Sequence, residues 1–291
     1  MTASNDVPRY GLDGLGFGIA VDTDRSVLRT TVRTVAGLGY RSLWVNTGDG
    51  EQADGLCVLR EAHEIAPQLA LGVGVIALHR LQPAQIAERV LDSGLPVGAL
   101  HLGIGSGTAA VPVAHPLARV RAALEQLRAA LPGSYLVIAA LGPAMCRLGG
   151  ELADGVLLNW MPPSGVRSAR GEINRGQLAR GRPGPGPAVL AYVRAATGPN
   201  AGERIACEAA RYRRAGAHYE RNAARAGSWN GGVDLDSPSA DADLRSYADT
   251  LDQVILRALP DGTSAAELGH IAAKGMRAFR RPADADGPAP A

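Results

Sequence analysis

The sequence predicts an α/β fold built on a parallel sheet, because apolar runs of strand length alternate with segments of helical spacing. The clearest unit is residues 136–160, LVIAALGPAMCRLGGELADGVLLNW. Its apolar run at residues 136–140 is stopped by Gly142 and Pro143, helical spacing follows, and a second apolar run begins at Val156. Two buried strands joined by one helix form a parallel βαβ unit, and free amides at the helix start attract an anion.

The same alternation extends over the chain and predicts eight strands. They lie near residues 15–21, 42–46, 69–78, 99–107, 136–141, 155–160, 189–196 and 251–259. Helices are predicted at residues 26–38, 55–65, 83–91, 116–131, 144–152, 202–225 and 264–279, with a helix and a loop within residues 164–186. Glycine or proline ends several of them, as at Gly39 and Pro132. Eight such pairs predict a single-domain (β/α)8 barrel, a TIM barrel, over residues 15–280.

Other segments fall outside this regular pattern. Residues 1–14 are predicted to be a flexible N-terminus, and residues 281–291, rich in Pro, Ala and Asp, a disordered tail. Residues 227–243 are predicted to be an irregular excursion before the last strand, which could act as a lid. The preceding helical segment is rich in arginine, with Tyr212 and Tyr219 between the charges, and we interpret it as a solvated face over the barrel.

Composition excludes several classes of function. The net charge is only +2 with scattered basic residues, so we expect no nucleic-acid partner. Lys274 is the only lysine, which argues against Schiff-base chemistry. Cys57, Cys146 and Cys207 are odd in number and widely spaced, so neither a disulfide framework nor a metal site is predicted, and a reducing cytoplasm fits. Because no leader-like start and no long apolar run is present, we also expect a soluble protein without a membrane partner.

Two glycine patterns require a physical reason. Gly72 and Gly74 interrupt the third strand, where glycine indicates a bulge or the close approach of a ligand, although a merely glycine-rich core strand remains an alternative. The fourth strand runs into GIGSG, residues 103–107. A dinucleotide fingerprint would need a third glycine where Thr108 stands, so we reject a Rossmann fold.

Four stretches carry a resemblance to a known family. They are AALGPAMCRLGGELADGVLLNW at residues 139–160, GLGYRSLWV at 37–45, ALHLGIGSG at 99–107 and VLAYVRAA at 189–196. Together they resemble the luciferase-like monooxygenase family of (β/α)8-barrel oxidoreductases, which use FMN or the deazaflavin coenzyme F420. The resemblance implies a homodimer, a small-molecule substrate and a cofactor at the mouth of the barrel.

The resemblance also implies the cofactor contacts. It implies a bulge with a non-proline cis peptide at Gly74-Val75 that backs the flavin ring, and a glycine loop against the ring or its ribityl chain. It further implies a phosphate at the AxGP turn, held by backbone amides in the members that use F420. The implied cofactor-binding residues are Gly74, Val75, Gly105, Ser106, Gly107, Ala140, Leu141, Gly142, Pro143, Ala144 and Met145.

Catalytic groups are harder to assign. The candidates at strand ends are Asn46, Thr47, His79, Thr108, Asn159 and Trp160. Several F420-dependent dehydrogenases of the family have an acid-histidine pair after the second strand and an acid after the GxG. This chain has Asn46-Thr47 and Thr108 at those places, so alcohol oxidation by that route is doubtful. Hydride delivery to an activated C=C, C=N or aldehyde, or oxygenation of a bound substrate, remains open.

Three functions therefore compete. The first is an F420-dependent oxidoreductase, favoured because no basic residue lies between Arg128 and Arg147, so backbone amides alone would hold the phosphate. The second is an FMN-dependent monooxygenase supplied by a partner flavin reductase, whose phosphate Arg194 or Arg257 could reach. The third is a barrel that binds a flavin without turnover.

Overall fold

The computed structural model describes residues 12–46, 55–107, 114–180, 185–226 and 231–280. Its strands are β1 Gly14–Ala20, β2 Ser42–Asn46, β3 Ala70–Ala77, β4 Leu100–Gly105, β5 Tyr135–Ala140, β6 Gly155–Asn159, β7 Ala188–Ala196, β8 Gly232–Asp234 and β9 Gln253–Ala258. Its α-helices are α1 Arg25–Gly37, α2 Gly55–Ile65, α3 Pro83–Asp92, α4 Pro116–Ala130, α5 Pro143–Leu152, α6 Pro163–Leu178, α7 Ala201–Arg214, α8 Ala217–Ala226, α9 Ala240–Ala248 and α10 Ala265–Phe279. Within the described ranges, no helix is both long and apolar enough to cross a membrane.

The strands form a closed parallel barrel. Neighbouring strands follow the order β6-β5-β4-β3-β2-β1-β9-β7, and the pairing of β6 with β7 closes the ring. Every pairing is parallel, because a helix returns the chain to the same end before each new strand. The predicted (β/α)8 barrel is confirmed.

Inside the barrel, large side chains pack over glycines on neighbouring strands. Trp44 is fully buried, and a Cβ atom on Gly72 of the neighbouring strand would lie 2.2 Å from its indole ring. The indole nitrogen donates to Ser42 Oγ at 3.0 Å and to Gln253 Oε1 at 3.2 Å. The glycine in β3 is therefore required by Trp44, because the ring fills the space that another side chain would need.

Two glycines bring helices α5 and α6 together. A Cβ atom on Gly150 of α5 would lie 2.0 Å from the carbonyl oxygen of Ile173, and one on Gly176 of α6 would lie 1.9 Å from that of Arg147. Backbones can approach this closely only where both side chains are absent. The contact fixes α5, whose first residues lie at the barrel mouth.

The segment between β7 and β9 is more regular than the sequence predicts. Within the predicted irregular excursion, residues 232–234 form β8, which bonds to β7 outside the closed barrel, and helix α9 begins at Ala240. Strand β6 ends opposite Tyr192, so the last residues of β7 have a free edge on that side, and β8 pairs with it. The single predicted helix at 202–225 is also divided, into α7 and α8. Three-residue strands and helix breaks leave almost no periodicity for sequence reasoning to detect.

Candidate functional site at the barrel mouth

Strand β3 is bulged where the cofactor ring is expected. The peptide bond Gly74-Val75 is cis, and the register of β3 against β4 shifts between Val73 and Ile76. Both features are as predicted. The side chain of Val75 is half-buried and packs against the apolar residues inside the barrel.

The glycines of β4 make room for this bulge. A Cβ atom on Gly103 would lie 2.4 Å from the carbonyl oxygen of Val73, and one on Gly105 would lie 3.2 Å from Val75 Cγ2. Gly107, with φ of +110°, faces His79, whose Nδ1 lies 2.0 Å from the position of a Cβ. The pattern GIGSG therefore has a structural reason in the neighbouring strand, a reason that sequence reasoning missed.

Tyr192 crosses the barrel to the bulge. Its hydroxyl donates to the carbonyl oxygen of Gly74 at 3.2 Å, from a strand on the opposite side of the ring. Burial raises the pKa of Tyr192, so the phenol stays neutral at physiological pH. Because the hydroxyl lies 2.3 Å from the position of a Cβ on Gly74, only glycine fits there without movement.

The predicted phosphate loop lies at the start of α5. Gly142 is the residue before the helix and Pro143 is its first residue. The first amide to bond inside the helix is that of Cys146, to Gly142 O at 3.0 Å, so the amides of Ala144 and Met145 precede the bonded turn. Ala140 is buried, while Leu141, Pro143 and Met145 are half-buried and Ala144 is exposed.

A basic side chain reaches this loop from a distant part of the chain. Arg225, on α8, has its Nη1 3.7 Å from the position of a Cβ on Gly142. That backbone amides hold the phosphate stays a prediction, but a basic residue from outside residues 128–147 also lies close to the loop. The spacing along the sequence gave no sign of it, because more than eighty residues separate Gly142 from Arg225.

Asn159 and Trp160, both predicted site residues, hold a buried arginine. Arg194 Nη1 donates to Asn159 Oδ1. The guanidinium carbon lies 4.2 Å from the centre of the Trp160 ring and 5.0 Å from that of Tyr212, which is a cation–π arrangement with each ring. Trp160 itself has a positive φ of 54° and is fully buried.

A second arginine lies beside the first. Arg257 of β9 pairs in register with Arg194 of β7, and its Nη1 donates to Ala258 O at 2.7 Å. Burial lowers the pKa of both guanidinium groups, and the charge of Arg257 lowers the pKa of Arg194 further. Burial alone would raise the pKa of Glu208, but hydrogen bonds from Arg211 and the charges of Arg194 and Arg257 lower it overall. The mouth is thus strongly positive on the β7 and β9 side.

The remaining catalytic candidates are spread around the mouth. Asn46 ends β2, and its Oδ1 is buried without a hydrogen-bond partner in the part of the chain that the structure describes. His79 is exposed beside Gly107. Thr47 and Thr108 lie outside the described residues. The structure therefore brings together Asn159 and Trp160, while Asn46 lies at the end of β2 and His79 in the turn after β3.

In the part of the chain that the structure describes, other ionisable groups give no further catalytic centre. His101 is buried at the start of β4, stacked on Trp44 at 6.1 Å and edge-on to Tyr135 at 5.0 Å, below the mouth. Nowhere in residues 12–46, 55–107, 114–180, 185–226 and 231–280 do three His, Cys, Asp or Glu side chains lie close enough to hold a metal ion.

The arginine-rich segment was interpreted from the sequence as a solvated face. In the structure it also packs against the mouth of the barrel. Tyr212 lies 5.6 Å from Trp160, and Tyr219, itself buried, lies 5.4 Å from Tyr212. This aromatic row connects α7 and α8 to the mouth. The two tyrosines between the charged residues are the sequence feature that indicates this packing, because large aromatic side chains are usually buried at least in part.

The structure is similar to solved oxidoreductases. An F420-dependent secondary alcohol dehydrogenase holding an F420-acetone adduct superposes with a TM-score of 0.70 at 13% identity, over 92% of this chain and 99% of that one. A coenzyme F420-dependent tetrahydromethanopterin reductase from Methanopyrus kandleri gives 0.63 at 16% identity, over 89% and 98%. The oxygenating constituent of 3,6-diketocamphane monooxygenase from Pseudomonas putida, in complex with FMN, gives 0.62 at 12% identity, over 91% and 98%. No protein-family model matches the sequence, and no curated protein matches it significantly.

The fold is thus a (β/α)8 barrel like that of these solved oxidoreductases. At these low identities the likeness shows the fold alone, and this is the fold that the resemblance of the four stretches implied. The same fold is found in solved proteins that bind F420 and in one that binds FMN.

Proposed function

We propose that the protein is an oxidoreductase that binds coenzyme F420 and transfers a hydride to or from a small organic metabolite. The observation that carries this proposal is the start of α5, where the amides of Ala144 and Met145 precede the bonded turn at the barrel mouth. Such amides, aligned with the helix dipole, favour a phosphate group. The likeness to F420-dependent oxidoreductases of the same fold supports the choice.

The residues present fit this cofactor. Gly142 leaves the helix start open to a ligand, because beyond its chain neighbours the nearest atom to the position of a Cβ is Arg225 Nη1 at 3.7 Å. The residues that would hold F420 are Gly142–Met145 at its phosphate and Val75 and Ser106 on either side of its ring. When bound, the deazaflavin supplies a hydride acceptor or donor.

The protein's own side chains then bind and orient the substrate. Tyr192 stays neutral and is already bonded to Gly74 O, so it holds the floor of the site in place. Asn159 and Trp160 hold Arg194 at the rim, and Asn159, which is partly exposed, can also orient a substrate by hydrogen bonding. Since no acid-histidine pair stands at the strand ends in the described residues, a substrate with an activated C=C, C=N or aldehyde suits the site best.

A second function is favoured by one observation. Arg225 brings a basic side chain to the phosphate loop, an arrangement that suits an FMN-dependent monooxygenase supplied by a partner flavin reductase. A barrel that binds flavin without turnover is the third candidate. In all three, we expect a homodimer in the cytoplasm.

Parallel calorimetric titrations with F420 and FMN test the proposal. We expect F420 to bind more tightly; FMN binding at least tenfold tighter, a difference of about 1.4 kcal/mol, would overturn the assignment and favour the monooxygenase. Arg225→Gln should weaken FMN binding more than F420 binding, while Arg221→Gln on the same helix, also exposed, should change neither. Turnover of each reduced cofactor, with and without oxygen, then separates both enzymes from a non-catalytic barrel.

A further inference from the structure

The two arginines at the ends of β7 and β9 are not explained by cofactor binding at α5. Arg194 and Arg257 are paired in register on adjacent parallel strands, so their side chains leave the sheet on the same face. That face is the barrel interior, because a Cβ on the inward-facing Gly18 would lie 3.2 Å from Arg257 Cδ and 3.3 Å from the Tyr192 ring. Glycine in β1 therefore gives Arg257 its room inside the mouth.

Arg194 has more hydrogen-bond donors than hydrogen-bond acceptors around it. Its side chain is only 2% exposed, and Nε is buried without a hydrogen-bond partner among the described residues. Its partners are a neutral amide, Asn159, and the faces of Trp160 and Tyr212. None of these groups carries the negative charge that a buried guanidinium normally requires.

Arg257 makes the charge imbalance larger. Its guanidinium donates a hydrogen bond to the neutral carbonyl of Ala258, and among the described residues no carboxylate lies within ion-pair distance of either guanidinium. Glu208 and Asp22 act on Arg257 only from farther away, and Glu208 already accepts two hydrogen bonds from Arg211. Two adjacent like charges in a buried site repel each other, and an oxyanion between them would remove that repulsion.

We propose that Arg194 and Arg257 bind an oxyanion of the substrate, a carboxylate or a phosphate, at the mouth of the barrel. This inference rests on the proposed function, because it assumes that a substrate binds at the mouth. It narrows the class of substrate to anionic metabolites. The bulge of β3 and the strand β7 lie on opposite sides of the barrel, so an anion held here would face the cofactor ring across the site. Planar donors on guanidinium suit both kinds of oxyanion.

The test uses the whole chain, residues 1–291, without cofactor. Its melting temperature and tryptophan fluorescence are measured against sodium benzoate and against sodium phosphate, with sodium chloride at matched ionic strength as the reference. We expect a saturable response to at least one of the two anions, and the anion that gives it identifies the oxyanion class. Fluorescence should report binding directly, because Trp160 packs on Arg194.

Single-residue variants test whether the anion binds at the two arginines. Arg257→Gln should weaken the anion response at least tenfold, Arg257→Lys should keep part of it, and Arg213→Gln, an exposed arginine on α7, should leave it unchanged. Arg257 is chosen over Arg194 because it is less buried, and the melting curve of each variant verifies folding. A wild-type response no greater than that to chloride, or an unchanged response in Arg257→Gln, would overturn the proposal.

A cofactor titration of the same variant separates the two proposals. Arg257→Gln should bind the cofactor within threefold of the wild type, because the phosphate loop is untouched. A tenfold loss of cofactor affinity would mean that the arginines hold the cofactor itself, and would overturn the inference. If neither F420 nor FMN binds the wild type while the anion response persists, the proposed function fails and the anion site stands.

Discussion

Two glycines on helix α6 should respond in opposite ways to the same substitution. A Cβ on Gly176 would lie 1.9 Å from Arg147 O on α5, whereas a Cβ on Gly171 would have no atom within 4 Å. Both lie within α6, so the gain in helix propensity on substitution to alanine is shared. Gly176→Ala and Gly171→Ala therefore isolate the packing of α5 on α6.

The magnitudes follow from the geometry. Alanine in place of glycine inside a helix stabilises by roughly 0.5–1 kcal/mol, and Gly171→Ala should show that gain. In Gly176→Ala the new methyl overlaps a backbone carbonyl that cannot rotate away, so the helices must separate. Overpacking of this kind costs typically about 1–3 kcal/mol or more, which outweighs the propensity gain.

Urea unfolding of both variants measures the difference in the free energy of unfolding. Gly176→Ala should also weaken cofactor binding, because displacement of α5 moves the amides of Ala144 and Met145. Equal stabilisation in the two variants would show that α5 and α6 do not pack through glycine, and would refute the reasoning.

Three further predictions follow from buried or charged groups. Tyr192→Phe leaves the carbonyl of Gly74 without its hydrogen bond, so it should destabilise by about 1–3 kcal/mol in denaturant unfolding; an unchanged midpoint would contradict the contact at 3.2 Å. Burial raises the pKa of Cys146 to about 12, so at pH 8 a thiol reagent should label Cys57 and Cys207 quickly and Cys146 only on unfolding; three equal rates would contradict this burial. The lowered pKa of Glu208 means that its stabilisation is present above its unfolded pKa of about 4.3 and is lost as pH falls through the folded pKa. Glu208→Gln should therefore reduce stability at pH 7 and flatten its decline in acid, and a decline as steep as that of the wild type would be inconsistent with this linkage.

Much of the fold could be predicted from sequence because its signals are local. Each of the eight barrel strands was found within about two residues, since apolar runs and helical spacing are properties of short segments. The bulge at Gly74-Val75 was also found, from two glycines in an apolar strand together with the family resemblance. Strand β8 was missed because three residues carry no period.

The site was less predictable because its contacts join distant segments. The role of Gly103 is visible only beside Val73, and Arg225 reaches Gly142 from another helix. The arginine pair forms because two strands far apart in sequence are neighbours in the ring. The predicted strand ends identify which residues lie at the mouth. Which of them contact each other, and at what distance, is decided only when the barrel closes.

The central claim is that the cofactor phosphate binds at the start of α5, and one pair of variants tests it. Ala144 is exposed in the first turn of the helix, so Ala144→Asp adds a negative charge where the helix dipole tolerates it but a phosphate does not. We compare the F420 dissociation constants of Ala144→Asp and the neutral control Ala144→Asn by calorimetric titration. The account predicts at least tenfold weaker binding to Ala144→Asp, with a melting temperature equal to or above that of the control. Equal affinities would contradict it, because the phosphate would then lie elsewhere.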